Sequence, residues 1–304
     1  MKLTNKLGLP EAVVKAVERD PYTRGASDIS VTQLIAPPRQ VALSEKHRDE
    51  LEEDVSDRLW SLFGQIGHGL LEQAGQKTAA LTEERLFLER LGWTVSGQFD
   101  NMCLERDILT DFKFTTVWKI IREHPVDWEQ QLNLLAHLLR VTRNISVRSV
   151  RVIALLRDWS KPEARRNADY PQAQVAVLDF PVWTASKCET FLLDRLSLHQ
   201  AARSGNLPEC TAEERWEKPS TYAIRKIGNK KAMTGGAKFP SEQEALAWAA
   251  SRNLTDGSGQ LKSDHELLFR EGEPTRCLSY CTAAPFCEQW RADPRNLKAQ
   301  FDEL

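Results

Sequence analysis

No apolar run in these 304 residues approaches the length that spans a bilayer, and the opening stretch MKLTNKLGLPEAVVKAVERD scatters charge where an export signal carries an apolar core. These absences argue against a membrane helix and lead to the expectation of a cytoplasmic protein. An excess of charge of one sign is also missing: 41 Lys and Arg stand against 43 Asp and Glu, a formal net charge of −2. Bulk attraction to a polyanion is thereby excluded, and any surface for nucleic acid must be local. The chain contains no internal repeat and no low-complexity segment, which argues against a solenoid or a disordered linker. It contains no Cys-x2-Cys pair either, so its cysteines do not follow the two-plus-two plan of a zinc ribbon.

What is present suffices for a real core. A hydrophobic fraction of 41% and a charged fraction of 28% suit one large α/β domain with an appendage, or two modest domains. Residues 1–53 read as an N-terminal arm, in which ISVTQLIAPPRQVAL is a short apolar segment ended by a proline pair and SEKHRDELEEDVSDR is a charged run. From Asp54 to Ala74, Leu59, Phe63, Ile66 and Leu70 recur at helical spacing, which predicts a helix with that stripe turned inward. His68 falls on a neighbouring face, one and two turns after Gly64 and Ser61, small residues that leave room for something to approach. TEERLFLERLG predicts a second helix, capped by Thr82 and closed at Gly92. A hairpin over GQFDNMCLERDILTDFKFT follows, then an amphipathic helix over VDWEQQLNLLAHLLRVT, β-prone runs at SVRVIALLRDW and AQVAVLDFPVW, and a closing helix over SKCETFLLDRLSLHQAARSG. Helices before, between and after strands predict a mixed α/β sheet with helical cover over residues 54–205. Residues 206–304 differ in character. There TYAIRKIGNKKAMTGGAKF has the rhythm of a hairpin turning at Gly-Asn, and SEQEALAWAASRN is a short helix started by serine, together a small ββα insert over 221–253.

The first hairpin poses the chemical question. Asp100 ends its first strand and Asp111-Phe112-Lys113 occupies its second, and ionisable groups on neighbouring strands cost desolvation energy unless they pair or bind something. One reading is a surface ladder of opposite charges. The other is a cation site. Asp111 and Lys113 share a face roughly 7 Å apart along the strand, while Phe112 turns into the core and leaves its carbonyl available. With Asp100 alongside, two carboxylates and a carbonyl make an oxygen-rich site suited to Mg²⁺ or Mn²⁺. A protonated lysine cannot ligate such an ion; beside one, it orients or deprotonates water and offsets charge on a phosphate.

In this order and spacing, Asp100, then Asp111-Phe112-Lys113, then the helix with Gln131, resemble the PD-(D/E)XK nuclease superfamily. FGQIGHGLLEQ around His68 and QLNLLAHLL from Gln131 are similar to its RecB-type branch, which includes CRISPR-associated exonucleases that carry an iron–sulfur cluster. ISVTQLIAPPR resembles the leading segment of that branch, so the likeness covers about Ser30 to Arg140 and reaches Cys287 through the cysteines. LLRDW, LPECTAEERW and RCLSYC resemble uncharacterised bacteriophage-encoded RecB-like proteins, which suggests the cytoplasm of a bacterium or a phage-infected host. The resemblance implies a restriction-endonuclease-like fold and a metal-dependent DNA nuclease, expected to be an exonuclease in recombination, repair or viral DNA processing. A structure- or sequence-directed endonuclease, or a DNA-binding or assembly module that has lost activity, are the alternatives. It further implies that Asp100, Asp111 and the Phe112 carbonyl hold the catalytic metal, that His68 reaches it from the helix, that Lys113 activates the nucleophile and that Gln131 orients the site. Glu84 reads as a solvated helix charge, although an acidic residue in this helix contributes to the site in some relatives.

Of the six cysteines, Cys103 and Cys188 stand alone in apolar surroundings and read as core residues. Cys277-x3-Cys281-x5-Cys287 supplies three thiolates, and either tetrahedral zinc or a cubane needs a fourth. Cys210 is the candidate, and its ligation would clamp the C-terminal segment back onto the nuclease unit. Iron–sulfur relatives in the RecB-type branch have one distant cysteine and a compact C-terminal trio; this sequence resembles that plan, which implies a structural [4Fe–4S] cluster, with zinc as the alternative. It departs from the plan in placing no cysteine before Cys103. Finally, Arg225, Lys226, Lys230 and Lys231 gather positive charge around Gly228, either as a solvated edge that resists strand pairing or as contacts to DNA phosphates. Arg140, Arg143, Arg148 and Arg151 are the other basic residues considered for a DNA path.

Overall fold

A computed structural model describes residues 2–19, 25–75, 80–122, 125–236 and 238–296, and the chain divides into two units, Met1–Pro208 and Glu209–Leu304. In the first unit β1 (Lys2–Thr4), α1 (Glu11–Glu18), β2 (Ile29–Ser30), α2 (Val31–Ile35), α3 (Pro38–Lys46) and β3 (Glu52–Asp54) precede α4 (Leu59–Gly75). Then come β4 (Ala80–Arg90), β5 (Trp93–Cys103), β6 (Ile108–Thr115), α5 (Val117–Arg122), α6 (Val126–Arg143), β7 (Ser149–Leu156), α7 (Lys161–Arg166), β8 (Val175–Phe180) and α8 (Ala185–Arg203). Six strands form one mixed sheet in the order β2-β5-β6-β7-β8, with β4 along the other edge of β5. β4, β5 and β6 are an antiparallel meander, β6 and β7 run parallel through the α6 crossover, and β8 returns antiparallel.

Helices flank both faces of this sheet. α6 buries Leu132, Leu134, Leu135, Leu138 and Leu139 to 1% exposure or less, with Asp127 and Glu129 in its first turn and Arg140 and Arg143 in its last, as the helix dipole favours. It lies close on β5 because Gly97 has no side chain: a Cβ there would fall 2.5 Å from a Leu135 methyl. α4 covers the opposite face, where Gly67 meets the Phe114 ring.

Two sequence expectations, the second helix and the inward stripe of α4, fail here. Residues 82–90 are strand β4, not a helix: Leu86 and Leu88 are buried while Phe87 and Glu89 are exposed, a period of two that the short charged run disguised. The N-terminal arm, residues 1–53, contributes to the sheet and core: β2 pairs with β5, and Ile29, Val31 and Leu34 are at most 2% exposed. The α4 stripe does not turn inward; Phe63, Ile66 and Leu70 are all more than half exposed, and the helix packs through Gly67 instead.

The second unit holds β9 (Glu217–Lys218), β10 (Thr221–Lys226), α9 (Glu242–Ser251), β11 (His265–Arg270), β12 (Glu273–Pro274), α10 (Thr275–Ser279) and α11 (Glu288–Arg291). Ser241 caps α9 by accepting from the Glu244 amide, and Ile224, Ala245 and Ala249 form a small core with Phe239, Trp248 and Leu267. β10 forms its ladder with β11, whereas the segment after the Gly228 turn returns beside β10 only irregularly, through the Tyr222–Phe239 and Met233–Ile224 backbone bonds. The expected ββα insert therefore continues to Arg270. Among the described residues no helix is long and apolar enough to cross a membrane.

Candidate active site

β5 parts from β6 just where the acidic residues begin. The two strands pair at Cys103–Ile108, Met102–Leu109 and Asn101–Thr110, and β2 takes up the same edge of β5 at Val95 and Ser96. In the gap between, the Phe112 N–H donates to the Asp100 carboxylate at 2.7 Å. On the other edge, the β4 ladder skips Glu83 opposite Asp100, and Glu83 takes a left-handed conformation with φ 51°. The inward-facing set slips by one residue at this point: Val95, Gly97 and Phe99 are buried on β5, then Met102. A left-handed glutamate costs roughly 1–3 kcal/mol of backbone strain. What the distortion achieves is to bring two carboxylates off the regular pleat and together.

His68 joins them from α4. One ligand atom each from His68, Glu83 and Asp100 lies within 4.8 Å of the others, with His68 Nδ1 3.4 Å from Asp100 Oδ2 and 3.9 Å from Glu83 Oε1. The helix can come this near because a Cβ on Gly67 would fall 1.9 Å from Phe114 Cζ; the ring fills that space and meets His68 edge-on, centroids 5.8 Å apart. Glu83 is held in turn by Gln98 Nε2 at 2.6 Å, and Gln98 by Arg85 at 2.6 Å.

Lys113 straddles Asp111, its Nζ 3.0 Å from Oδ1 and 2.8 Å from Oδ2, and donates to Gln131 Oε1 at 3.2 Å. Gln131 Nε2 closes the triangle on Asp111 Oδ1 at 3.4 Å. Asp111 is only 3% exposed, and its Oδ2, although close to Nζ, accepts no hydrogen bond of sound geometry. The expectation that Phe112 turns into the core is not met: Asp111 takes the buried side, and Phe112 is half-buried on the side of α4.

Burial pushes the Asp100 carboxyl well above the ordinary range, with the Asp111 charge adding to it and Lys113 and the Phe112 amide opposing. Burial likewise raises Glu83, against the Gln98 hydrogen bond. Burial lowers His68, with the Asp111 charge pulling the other way. Burial alone would lower Lys113, but the Asp111 and Asp100 carboxylates outweigh it and hold the ammonium above its usual value. Asp100 and Glu83 therefore keep their protons to higher pH than ordinary carboxylates, while His68 loses its own sooner.

Glu83 was missed in the sequence, where its neighbour was weighed instead. Glu84 points to the other side of β4 and forms an ion pair with Arg143. Only the period-two rhythm of LFLER could have shown that adjacent glutamates take opposite faces.

Cys188 is buried, as expected, but Cys103 is only half-buried. Cys210, Cys277, Cys281 and Cys287 all belong to the second unit, so a shared ligand would tie that unit to itself and not to the first. Gln289, two residues past Cys287, brackets Cys210 by accepting from its N–H at 2.8 Å and donating to its carbonyl at 3.0 Å. Burial, then the Glu214 charge and the three other thiols, push Cys210 up to about 12; burial and the Cys281 thiol push Cys277 up to about 11. Among the described residues no three of these sulfurs lie mutually within 4.8 Å.

The basic residues are mostly engaged within the fold. Arg225 pairs with Glu266 at 2.8 Å and Lys226 with Asp264 at 3.7 Å, leaving exposed Lys230 and Lys231 at the turn. Arg151 grips Asp179 with two bonds, and Arg148 donates to the Arg106 carbonyl at 2.8 Å.

No protein-family model matches this sequence, and no curated protein matches it. Among solved structures, the crystal structure of SSO0001 aligns with a TM-score of 0.44 at 16% identity, over 61% of this chain and 84% of that one, a likeness too distant to assign fold family or function.

Proposed function

We propose that this protein is a metal-dependent DNA nuclease of the PD-(D/E)XK type with a restriction-endonuclease-like sheet, acting as an exonuclease of the RecB-type branch. The observation that carries the reading is the mutual contact of Asp111, Lys113 and Gln131 beside the grouped His68, Glu83 and Asp100 at one break in the sheet. The donor set fits a hard divalent ion: carboxylate oxygens, one imidazole, and a buried Asp111 oxygen with no hydrogen bond. His68, Glu83 and Asp100 would hold Mg²⁺ or Mn²⁺, with Asp111, which lies outside that group and is paired with Lys113, and the Phe112 carbonyl as further oxygens. When bound, such an ion polarises a phosphate oxygen and acidifies water.

Everything else falls to the chain's own groups. Asp111 fixes the Lys113 ammonium in place, so that the cation stands ready to neutralise charge developing on a phosphodiester. Gln131 bonds both members of that pair and sets their geometry, and its own reach to a water would complete the alignment. The Phe112 amide holds Asp100 through Oδ2, the same oxygen that faces His68.

In the second unit, Cys210, Cys277, Cys281 and Cys287 are the four thiols that would serve a four-thiolate centre, and the other thiols contribute to holding Cys210 and Cys277 protonated. The resemblance to iron–sulfur members of the RecB-type branch favours a [4Fe–4S] cluster here, with tetrahedral zinc as the alternative. Incubating the protein with end-labelled, circular, single-stranded and duplex DNA in Mg²⁺ or Mn²⁺ tests the function. An exonuclease degrades the labelled linear DNA and spares the circle, an endonuclease opens the circle, and no cleavage of any substrate would overturn the reading.

A further inference from the structure

Two turns before His68, α4 carries Trp60 on the same half of its surface; the helix rises about 12 Å between them and turns the side chains to within roughly 80° of each other. Gly64 lies between, where a Cβ would meet nothing within 4 Å, and Ser61 beside it is exposed. Trp60 is 56% exposed, and Phe63, its ring centroid 5.8 Å away, is 59% exposed. The Arg157 guanidinium lies 4.0 Å over the Trp60 ring. Arg157 directly follows β7, and its N–H donates at 3.0 Å to the carbonyl of Thr115, two residues past Lys113 on β6. The aromatic pair, the guanidinium and the lysine thus share the carboxyl end of a parallel strand pair, the end where open α/β sheets seat ligands.

We propose that Trp60, Phe63 and Arg157 form a stacking site for an unpaired base of a DNA strand, whose backbone then crosses open Gly64 toward His68. The proposal rests on the nuclease reading for the reacting phosphate beyond His68. Its chemistry is that of single-strand recognition: flat apolar faces accept any base, and a guanidinium adds cation–π attraction and phosphate charge. A chain of net charge −2 cannot hold DNA by bulk electrostatics, which places weight on stacking. α4 has no Asp, Glu, Lys or Arg from Leu59 through Leu71 to interfere. Ile66 and Leu70 are also exposed, but they emerge about 160° around the helix from His68, and Phe63 at about 140° joins the site only as the neighbour of Trp60, the aromatic residue nearer the His68 face.

Anisotropy of labelled oligothymidylate with the full chain in EDTA tests this without cleavage. Trp60→Ala and Gly64→Leu should each weaken binding about ten-fold or more, the loss of one stacked base, while Trp60→Phe retains most of it. An abasic oligonucleotide of the same length should bind parent and Trp60→Ala alike. Equal affinity of parent, Trp60→Ala and Gly64→Leu for oligothymidylate overturns the stacking site. Parallel cleavage in Mn²⁺ separates the two ideas: cleavage with Trp60-independent binding leaves the nuclease and removes the site, whereas Trp60-dependent binding without cleavage of any DNA keeps the site and removes the nuclease. A parent that neither binds nor cleaves DNA removes both.

Discussion

Asp111 and Lys113 are legible in the sequence because two residues apart on a strand share a face, and the fold adds that Asp111 is nearly closed off from water while Lys113 stays partly exposed. That burial alters what substitution should do. Lys113→Ala strands Asp111 beside Asp100, so we expect loss of cleavage together with a loss of about 3 kcal/mol of metal-free stability, much of it restored by saturating Mn²⁺. Urea unfolding with and without metal measures both; an unchanged midpoint in EDTA would show the pair to be worth nothing. Asp100 gives a signed pH dependence. Its carboxyl is raised from an ordinary 3.8, so above that pH the native state keeps a proton the unfolded chain has lost, and metal-free stability falls as pH rises toward the raised value. Asp100→Asn, which preserves an acceptor for the Phe112 amide, should therefore melt higher than the parent at neutral pH in EDTA and converge with it below about pH 4. A lower melting temperature at neutral pH would contradict the assignment. Glu83 was legible only in part: a period of two separates it from Glu84, but the left-handed backbone and skipped ladder pair that bring it to Asp100 are announced by no side-chain pattern.

α4 was recognised as a helix from its periodicity, yet its packing face was misjudged. The stripe of large residues suggested the buried side, but contact with the sheet runs through Gly67, where absence of a side chain admits the Phe114 ring. Glycine carries no hydrophobic signal, so such an interface is invisible to a count of apolar positions. Gly67→Ala should cost about 1–3 kcal/mol and displace His68, weakening the response of cleavage to metal concentration. Gly64→Ala, one turn earlier and into open space, should instead stabilise the helix by roughly 0.5–1 kcal/mol. Thermal melts of the two variants separate these outcomes, and equal effects would show that α4 does not bear on β6 through Gly67. β4 shows the opposite error, where good helix formers hid a strand whose place in the sheet is decided by Leu86 and Leu88 packing under α6.

The division of the chain after Pro208 places Cys210, Cys277, Cys281 and Cys287 together in one unit and the candidate catalytic groups together in the other, so the two can be tested separately. Anaerobically purified protein should be brown, hold iron and acid-labile sulfide, and lose both on Cys281→Ala or Cys210→Ala while Cys103→Ala retains them. Colourless protein with about one equivalent of zinc would instead indicate the tetrahedral site. The mixed α/β architecture with helical cover was readable from the alternation of helical and β-prone segments, whereas the β10–β11 pairing was not, since its strands are separated by a whole helix. The most direct measurement of the central proposal is cleavage of labelled DNA in Mn²⁺ by the parent and by Asp111→Asn, a substitution of nearly equal size that keeps an oxygen near Lys113. We expect degradation by the parent and none by Asp111→Asn at matched folded concentration. Equal rates of cleavage would contradict a catalytic metal site at this break in the sheet.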